Sequence, residues 1–214
     1  MYLKRHKSPN KWPIKRKGTK YIVKPNFSTN QGVPVLIALR DMLKLAKNRK
    51  EVKKAIHEKQ VLLNNKKIKD EKNNILLFDV ITIVPTHKNY KLLLSNFGKF
   101  VFEEIKEAGH QKIVKVIDKK ILKGKKVQVN LNDGHNFLYN GKVNVNDSVA
   151  FSFGDKKIIK VIQLKEKAKA VVYAGKHAGK EGVIESIDND KKMVELNTDG
   201  SKINVLIKQI MVVE

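Results

Sequence analysis

The second half of this 214-residue chain sustains no helical apolar period; it is a succession of short alternating runs, each cut by a turn. KLLLSNFGKFVFEEI reads as strand, turn at Asn96-Phe97-Gly98, strand, then a short acidic helix start that gathers Glu103, Glu104 and Glu107. IVKVIDKKILKGKKVQVNLNDGHNFLY alternates in the same way, with turns at Lys123-Gly124-Lys125 and Asp133-Gly134, and VNVNDSVAFSFGDKKIIKVIQL carries a hairpin signal at Gly154-Asp155. Strands of this length and spacing predict a small antiparallel sheet or barrel over 88–164. From 165 onward, AVVYAG, EGVIESI, MVELNT and KINVLIKQIMVV, with a tight turn at Asp199-Gly200, supply five more strands, enough for an SH3-like barrel.

The first half is organised differently. Residues 1–32 form a basic arm in which Lys4, Arg5, His6, Lys7, Lys11, Lys15, Arg16, Lys17 and Lys20 surround Trp12 and Tyr21. Prolines at 9, 13 and 25 break any helix, and the apolar area is too small to offset the entropy of ordering, so the arm alone is expected to be floppy. Bound to RNA it would put its cations on phosphates, and Trp12 would either stack on a base or pack against the next domain. In PVLIALRDMLKLA the apolar residues Val35, Leu36, Leu39, Met42, Leu43 and Ala46 share one face, opposite Arg40, Lys44 and Lys47. This pattern predicts a helix starting at Pro34. NRKEVKKAIHEK predicts a second, capped by Asn48 with Glu51 three residues on; Val52, Ala55 and Ile56 face inward while Arg49, Lys53 and Lys54 project. The strand VLLN, a turn at Asn64-Asn65-Lys66-Lys67 and the apolar run ILLFDVITIV complete one modest core ending near 87.

The formal charge of +24 calls for a polyanionic partner, and nucleic acid is the usual one. An AT-rich coding sequence would raise lysine, but would not concentrate arginine and aromatics at one end. The absence of cysteine excludes disulfides, zinc knuckles and thiolate catalysis. No apolar run approaches the roughly 20 residues of a bilayer span. The opening MYLKRHKSPNKWPIKRKG lacks the apolar core and cleavage site of a secretory signal, so the cytoplasm is expected and the sequons at Asn26 and Asn146 are read as chance. His6, His57, His87, His110, His135 and His177 are scattered, with no metal-ligand spacing, and no cofactor is expected.

The stretch VYAGKHAGKEGVIESI, from Val172, resembles a phosphate-binding loop only superficially. A Walker A loop needs four residues between its glycines and a hydroxyl after the lysine; here Gly175 and Gly179 are one residue too close, and Glu181 stands where the hydroxyl belongs. From Gly182 to Ile187 the chain alternates as a strand, where the nucleotide loop would need a helix. The spacing of Val172, Gly175, Gly179, Gly182, Val183 and Ile187 instead resembles the KOW motif of ribosomal proteins and transcription elongation factors. Lys176, His177 and Lys180 would sit at the loop tip, within reach of phosphate.

The helical segment likewise resembles the alpha-L RNA-binding motif: Asn48-Arg49, then Lys53 and Lys54, then Val61-Leu62-Leu63-Asn64-Asn65 occupy its pattern, with Lys59 and Asn65 at two glycine places. Taken together, Tyr2-Leu3-Lys4-Arg5 with Trp12, Pro34-Val35-Leu36 through Arg40-Asp41, Glu51-Val52-Lys53-Lys54, Asp79-Val80-Ile81-Thr82-Ile83, Leu131-Asn132-Asp133-Gly134-His135-Asn136 and Val145-Asn146-Asp147-Ser148 resemble, end to end, the small-ribosomal-subunit protein "four" family of archaeal and eukaryotic type. His135 stands where that family usually has Arg, a weaker phosphate clamp.

The resemblance implies an α+β multidomain chain: arm 1–32, alpha-L RNA-binding domain 33–87, central antiparallel β domain 88–164 and KOW SH3-like barrel 165–214. It implies a structural constituent of the cytoplasmic ribosome, with small-subunit ribosomal RNA and neighbouring subunit proteins as partners and no membrane or small-molecule substrate. The expected RNA contacts are the nine arm cations with Trp12, then Arg40, Lys44, Arg49, Lys53, Lys54, Lys66, Lys67, His135, Lys176, His177 and Lys180. A KOW-containing transcription or RNA-chaperone factor is the alternative. An RNA-modifying enzyme is not expected: pseudouridine synthases carry alpha-L domains, but their catalytic aspartate loop is absent and Glu103, Glu104 and Glu107 fit a solvated turn better than catalytic carboxylates.

Overall fold

The computed structural model describes residues 2–106, 111–155, 157–188, 190–198 and 200–213, and of Lys125 the backbone only. Glu107, His110 and Asp199 therefore lie outside the described residues. The chain divides into two compact units, one built from residues up to 95 and the segment beginning at 99, the other from 96–98 and the chain from 111. Both are dominated by short antiparallel strands, with few helices.

In the first unit, β1 (Leu3–Lys4) pairs with β2 (Tyr21–Ile22), which folds the arm back on itself. The arm, expected to be floppy alone, is thus ordered within the folded unit. Leu3, Ile14, Ile22 and Val23 pack on the unit's core, and Trp12 is 3 % exposed with its indole N–H donating to Gly32 O at 2.8 Å. The arm's apolar area is insufficient only in isolation; here it joins a core shared with later helices and strands.

After β3 (Gly32–Pro34), a helical turn α1 (Val35–Ile37) runs into a π-helical turn at Ala38–Met42. Leu43 N–H closes that turn on Ala38 O, so the expected first helix is short and wide. Helix α2 (Arg49–His57) is capped as its sequence predicts: Asn48 accepts from Glu51 N–H at 2.9 Å, and Glu51 returns to Lys47 N–H at 2.6 Å. Val52 and Ile56 are its buried positions. It ends at Lys59, a left-handed residue (φ 59°), with Gln60 N–H bonded to Ala55 O and Lys59 N–H to Ile56 O. Lys59 and Asn65 (φ 61°) both hold the conformation for which glycine would be chosen.

Strands β4 (Val61–Leu63), β5 (Lys66–Lys67), β6 (Asn74–Leu76), β7 (Val80–Ile83), β8 (Lys88–Leu94) and β9 (Phe100–Ile105) complete the unit. Five of them form one sheet in the order β5-β4-β7-β8-β9, while β6 pairs with β3. The break expected at 87 is in fact a hairpin: a 3-10 turn at Val84–Thr86 and left-handed His87 return β8 onto β7, pairing Ile83 with Lys88. The expected acidic helix start is strand as well, with Glu104 of β9 bonded to Lys88 of β8 at 3.2 Å. Burying side chains such as Ile75, Ile81 and Leu92 contributes about 1.5 to 3 kcal/mol each to this core.

The second unit holds two five-stranded sheets. The first contains β10 (Gln111–Ile121), β11 (Val127–Leu131), β12 (Asn136–Leu138), β13 (Ser148–Ser152) and β14 (Ile158–Ile162), ordered β12-β11-β10-β13-β14. The second contains β15 (Lys169–Val172), β16 (Glu181–Asp188), β17 (Met193–Thr198), β18 (Ser201–Leu206) and β19 (Ile210–Val212), ordered β18-β17-β16-β15-β19. Each has its own apolar cluster, around Val116, Val129 and Phe151 in one and Ile184, Leu196 and Ile210 in the other.

Candidate nucleic-acid interface

In the first unit, the expected RNA contacts separate into cations that face outward and cations that hold the fold. Arg5 donates from Nε to Thr19 O (2.8 Å), from Nη1 to Lys15 O (2.9 Å) and from Nη2 to Thr19 Oγ1 (2.7 Å), so it braces the arm's loop. Arg16 ties the same loop down through His6 O (3.1 Å) and Asn10 Oδ1. Arg40 pairs with Asp41 at 2.9 Å. Arg49 forks onto Glu71, whose side chain is 2 % exposed, donating from Nε at 2.8 and 3.0 Å and from Nη2 to the same carboxylate. The Glu71 hydrogen bond holds the Arg49 guanidinium above its ordinary pKa. Lys11 is half-buried, 5.8 Å from the Phe100 ring, and burial lowers its pKa.

Trp12 takes the second of its two expected places, packed in the unit's core, and these cations are engaged by the chain itself. Guanidinium forks suit bidentate partners, and here the chain's own carbonyls and carboxylates take that role. The remaining expected cations of the first unit lie at or near its surface. His6, Lys7, Lys15, Lys17 and Lys20 are exposed along the arm, with Lys4 half-buried, and Lys44 sits in a left-handed turn (φ 55°). Lys53 and Lys54 project from α2, with Lys54 3.7 Å from Glu58, and Lys66 and Lys67 come directly after the Asn64-Asn65 turn.

A cleft of about 760 Å³ opens in this unit between the arm and α1. Its walls include Tyr2, Tyr21 and Phe27, which are 68, 47 and 43 % exposed, together with Lys24, Arg40, Arg49 and Lys72. Tyr2 meets Tyr21 edge-to-face at 5.0 Å, and Lys20 lies 5.4 Å from the Tyr21 ring. Of the expected contacts, only Arg40 and Arg49 are brought together here. Tyr2 and Tyr21 stand among the same basic arm residues as Trp12, and that neighbourhood is the sequence signal for them.

In the second unit the glycine-lysine stretch forms the turn between β15 and β16, where Gly179 N–H bonds to Val172 O at 2.7 Å. Gly175 has φ 87°, outside the range of most residues. Gly182 serves close approach instead: a Cβ there would lie 2.4 Å from Asn197 O of β17. Lys176 is exposed, while His177 and Lys180 are half-buried. His135 is not a simple outward contact. Its Nδ1 lies 2.9 Å from Asp133 Oδ2, which is also 3.4 Å from buried Lys112. Burial pushes the Asp133 carboxyl up, and the His135 hydrogen bond and Lys112 charge outweigh it, leaving it below the usual carboxylate range.

Two further buried groups carry no sequence signal beyond a lysine in a strand and an aspartate before one. Lys115, 2 % exposed, donates to Ile210 O at 2.9 Å and to Ile207 O, and burial lowers its pKa to about 8. Asp79, in the first unit, accepts from Leu76 N–H (2.7 Å) and Asn64 Nδ2 (2.9 Å), fixing the turn before β7. Among the described residues, no three His, Asp or Glu side chains gather as a metal site, and no helix is long and apolar enough to cross a membrane.

Residues 86–158 match the model of ribosomal family S4e. The chain is 35 % identical over 189 residues to small ribosomal subunit protein eS4 of Methanocella arvoryzae, covering 87 % of this chain and 80 % of that one. It is 36 % identical over 195 residues to the eS4 protein of Nanoarchaeum equitans, covering 87 % and 83 %. Its fold is similar to the crystal structure of 30S ribosomal protein S4e from Thermoplasma acidophilum, with TM-score 0.74 at 25 % identity, covering 86 % of this chain and 95 % of that one.

Proposed function

Since the chain belongs to ribosomal family S4e, as a structural constituent of the small ribosomal subunit, we propose that it works there by neutralising the ribosomal RNA backbone and not by catalysis. Residues 33–87 act as an alpha-L RNA-binding module, supplemented by the hairpin strands to 105, and residues 165–214 as a KOW SH3-like barrel beside the central β domain. The outward cations carry the contacts: Lys4, His6, Lys7, Lys15, Lys17 and Lys20 on the arm, Lys44, Lys53, Lys54, Lys66 and Lys67 on the helical module, and Lys176, His177 and Lys180 at the glycine turn. Arg5, Arg16, Arg40, Arg49 and His135 position their surroundings. Neighbouring subunit proteins are the other partners, in the cytoplasmic ribosome.

The observation that carries this reading is that a chain of net charge +24 bonds its four arginines internally and leaves most of the expected contact lysines exposed. Phosphate contacts of this kind give affinity that falls steeply with salt and little sequence discrimination. Replacing Lys53 and Lys54 with Gln is expected to weaken binding to small-subunit RNA and flatten its salt dependence by about two phosphate contacts, with the melting temperature nearly unchanged. Wild-type affinity and slope in that variant would remove the assignment. Retention with the small subunit through a high-salt gradient separates this role from a KOW-containing transcription or RNA-chaperone factor.

A further inference from the structure

We propose that the cleft between the arm and α1 takes splayed-out nucleotides of single-stranded RNA, stacking their bases on Tyr2, Tyr21 and Phe27. The inference rests on the RNA-binding reading and adds to it a ligand class, unpaired RNA, and a mode, stacking, that lysine contacts to a duplex do not require.

Three large aromatics within one cleft remain 43 to 68 % exposed in a unit that buries Trp12 to 3 %. Leaving such surface in water forgoes the stabilisation that burial would give, and a contiguous exposed patch of this kind marks an interaction site. The edge-to-face geometry of Tyr2 and Tyr21 matters. In a T-shaped pair one ring contributes only its edge, so its faces stay open to a third ring. The cleft volume of about 760 Å³ falls within the ~300–1,000 Å³ typical of ligand sites.

The charge around the rings selects the kind of planar group. Among the described residues no carboxylate lines the cleft, and Arg40, Arg49 and Lys72 do. Arg40 and Arg49 each engage their carboxylate through Nε and Nη2, which fixes the guanidinium plane and leaves the Nη1 edge for a phosphate oxygen. Fixed cations next to exposed ring faces are the combination by which proteins hold unpaired strands: phosphates on the cations, bases on the rings. A duplex keeps its bases stacked on each other and could use only the cations. An apolar protein segment would use the rings but gain nothing from the arginines.

The test uses the full-length chain and two fluorescein-labelled probes, a short oligouridylate and a blunt RNA duplex, with binding read by anisotropy across a salt series. The variant Tyr21→Leu with Phe27→Leu keeps apolar bulk and removes two π faces. It is expected to bind the oligouridylate about tenfold more weakly, with the slope against salt and the duplex affinity unchanged, and Tyr21→Phe is expected to bind as wild type. Tyr2→Leu, at the most exposed ring, repeats the measurement where folding is least at risk. Oligouridylate affinity within about twofold of wild type in the leucine variants overturns the proposal while leaving the RNA-binding reading intact. So does an equal loss on both probes, or impaired incorporation into subunits with strand binding untouched, the result a protein occupant would give. A wild-type chain that binds neither probe in a salt-dependent way overturns both.

Discussion

The two units manage positive charge by different means. All four arginines of the chain, Arg5, Arg16, Arg40 and Arg49, fall in the first unit, and each is bonded to its own chain. The second unit has no arginine and instead buries two lysines, Lys112 beside Asp133 and Lys115 on the carbonyls of Ile207 and Ile210. A guanidinium stays charged and can bridge several acceptors in a plane, which suits the irregular arm and the loop at Glu71. An ammonium is a compact donor that can lose its proton when desolvated, which suits a narrow gap lined by carbonyls. The first unit's internal cations are therefore permanent braces, and one of the second unit's is a titratable one.

The sharpest way to break this contrast is to titrate Lys115. In the unfolded chain it holds its proton up to about 10.5, and in the fold only to about 8. Between those values the unfolded state binds the extra proton, so stability rises with pH across the window, and below pH 8 the desolvation penalty is fully present. A shift of that size corresponds to about 3 kcal/mol. Other lysines lose charge at high pH as well, so the comparison is with Lys115→Met, whose loss of two carbonyl partners is a constant offset. Urea unfolding of the wild-type chain is expected to gain stability from pH 8 to 10 more steeply than the variant. Parallel profiles would show that Lys115 is not desolvated as its geometry requires.

A smaller effect is expected at Arg49. Arg49→Ala leaves the carboxylate of Glu71 buried without its fork, and because Arg49 is itself 53 % exposed the loss should be about 2 kcal/mol, below that of a fully buried pair. Glu71→Gln in the same background should recover much of it. If Arg49→Ala instead unfolded at the wild-type urea midpoint, the fork onto Glu71 would not hold the fold and Arg49 would not be a brace.

How legible each feature is in the sequence depends on the range over which it is determined. The cap at Asn48 and Glu51, the turn at Asn64-Asn65 and the five C-terminal strands are settled by residues a few positions apart, and the pattern carries them. The fate of Trp12 depends on Gly32, twenty residues away, and that of Arg49 on Glu71, twenty-two away, so local patterning leaves Trp12 open between stacking and packing and points Arg49 outward. The same cause misplaces the domain break at 87. Whether β8 opens a new sheet or returns onto β7 turns on left-handed His87, and Val84-Pro85-Thr86-His87 holds neither glycine nor the Asn-Gly or Asp-Gly pair that announces a tight hairpin.

The smallest expected effect tests what the outward lysines are for. Lys59 holds φ 59° at the end of α2, a conformation that costs a side-chain-bearing residue about 1–2 kcal/mol and glycine nothing. Lys59→Gly should stabilise the chain by about 1 kcal/mol, since the gain in the fold is partly offset by the freer unfolded chain. Nothing in the packing favours lysine there; the side chain is exposed. If its charge is what keeps it in a strained place, the glycine variant should be more stable in urea yet show a salt dependence of RNA binding shallower by about one phosphate contact. A variant that gains stability with an unchanged slope would mean that lysines of the first unit are tolerated at its surface and not placed there for RNA, and the division between bracing arginines and RNA-facing lysines would fail at this position.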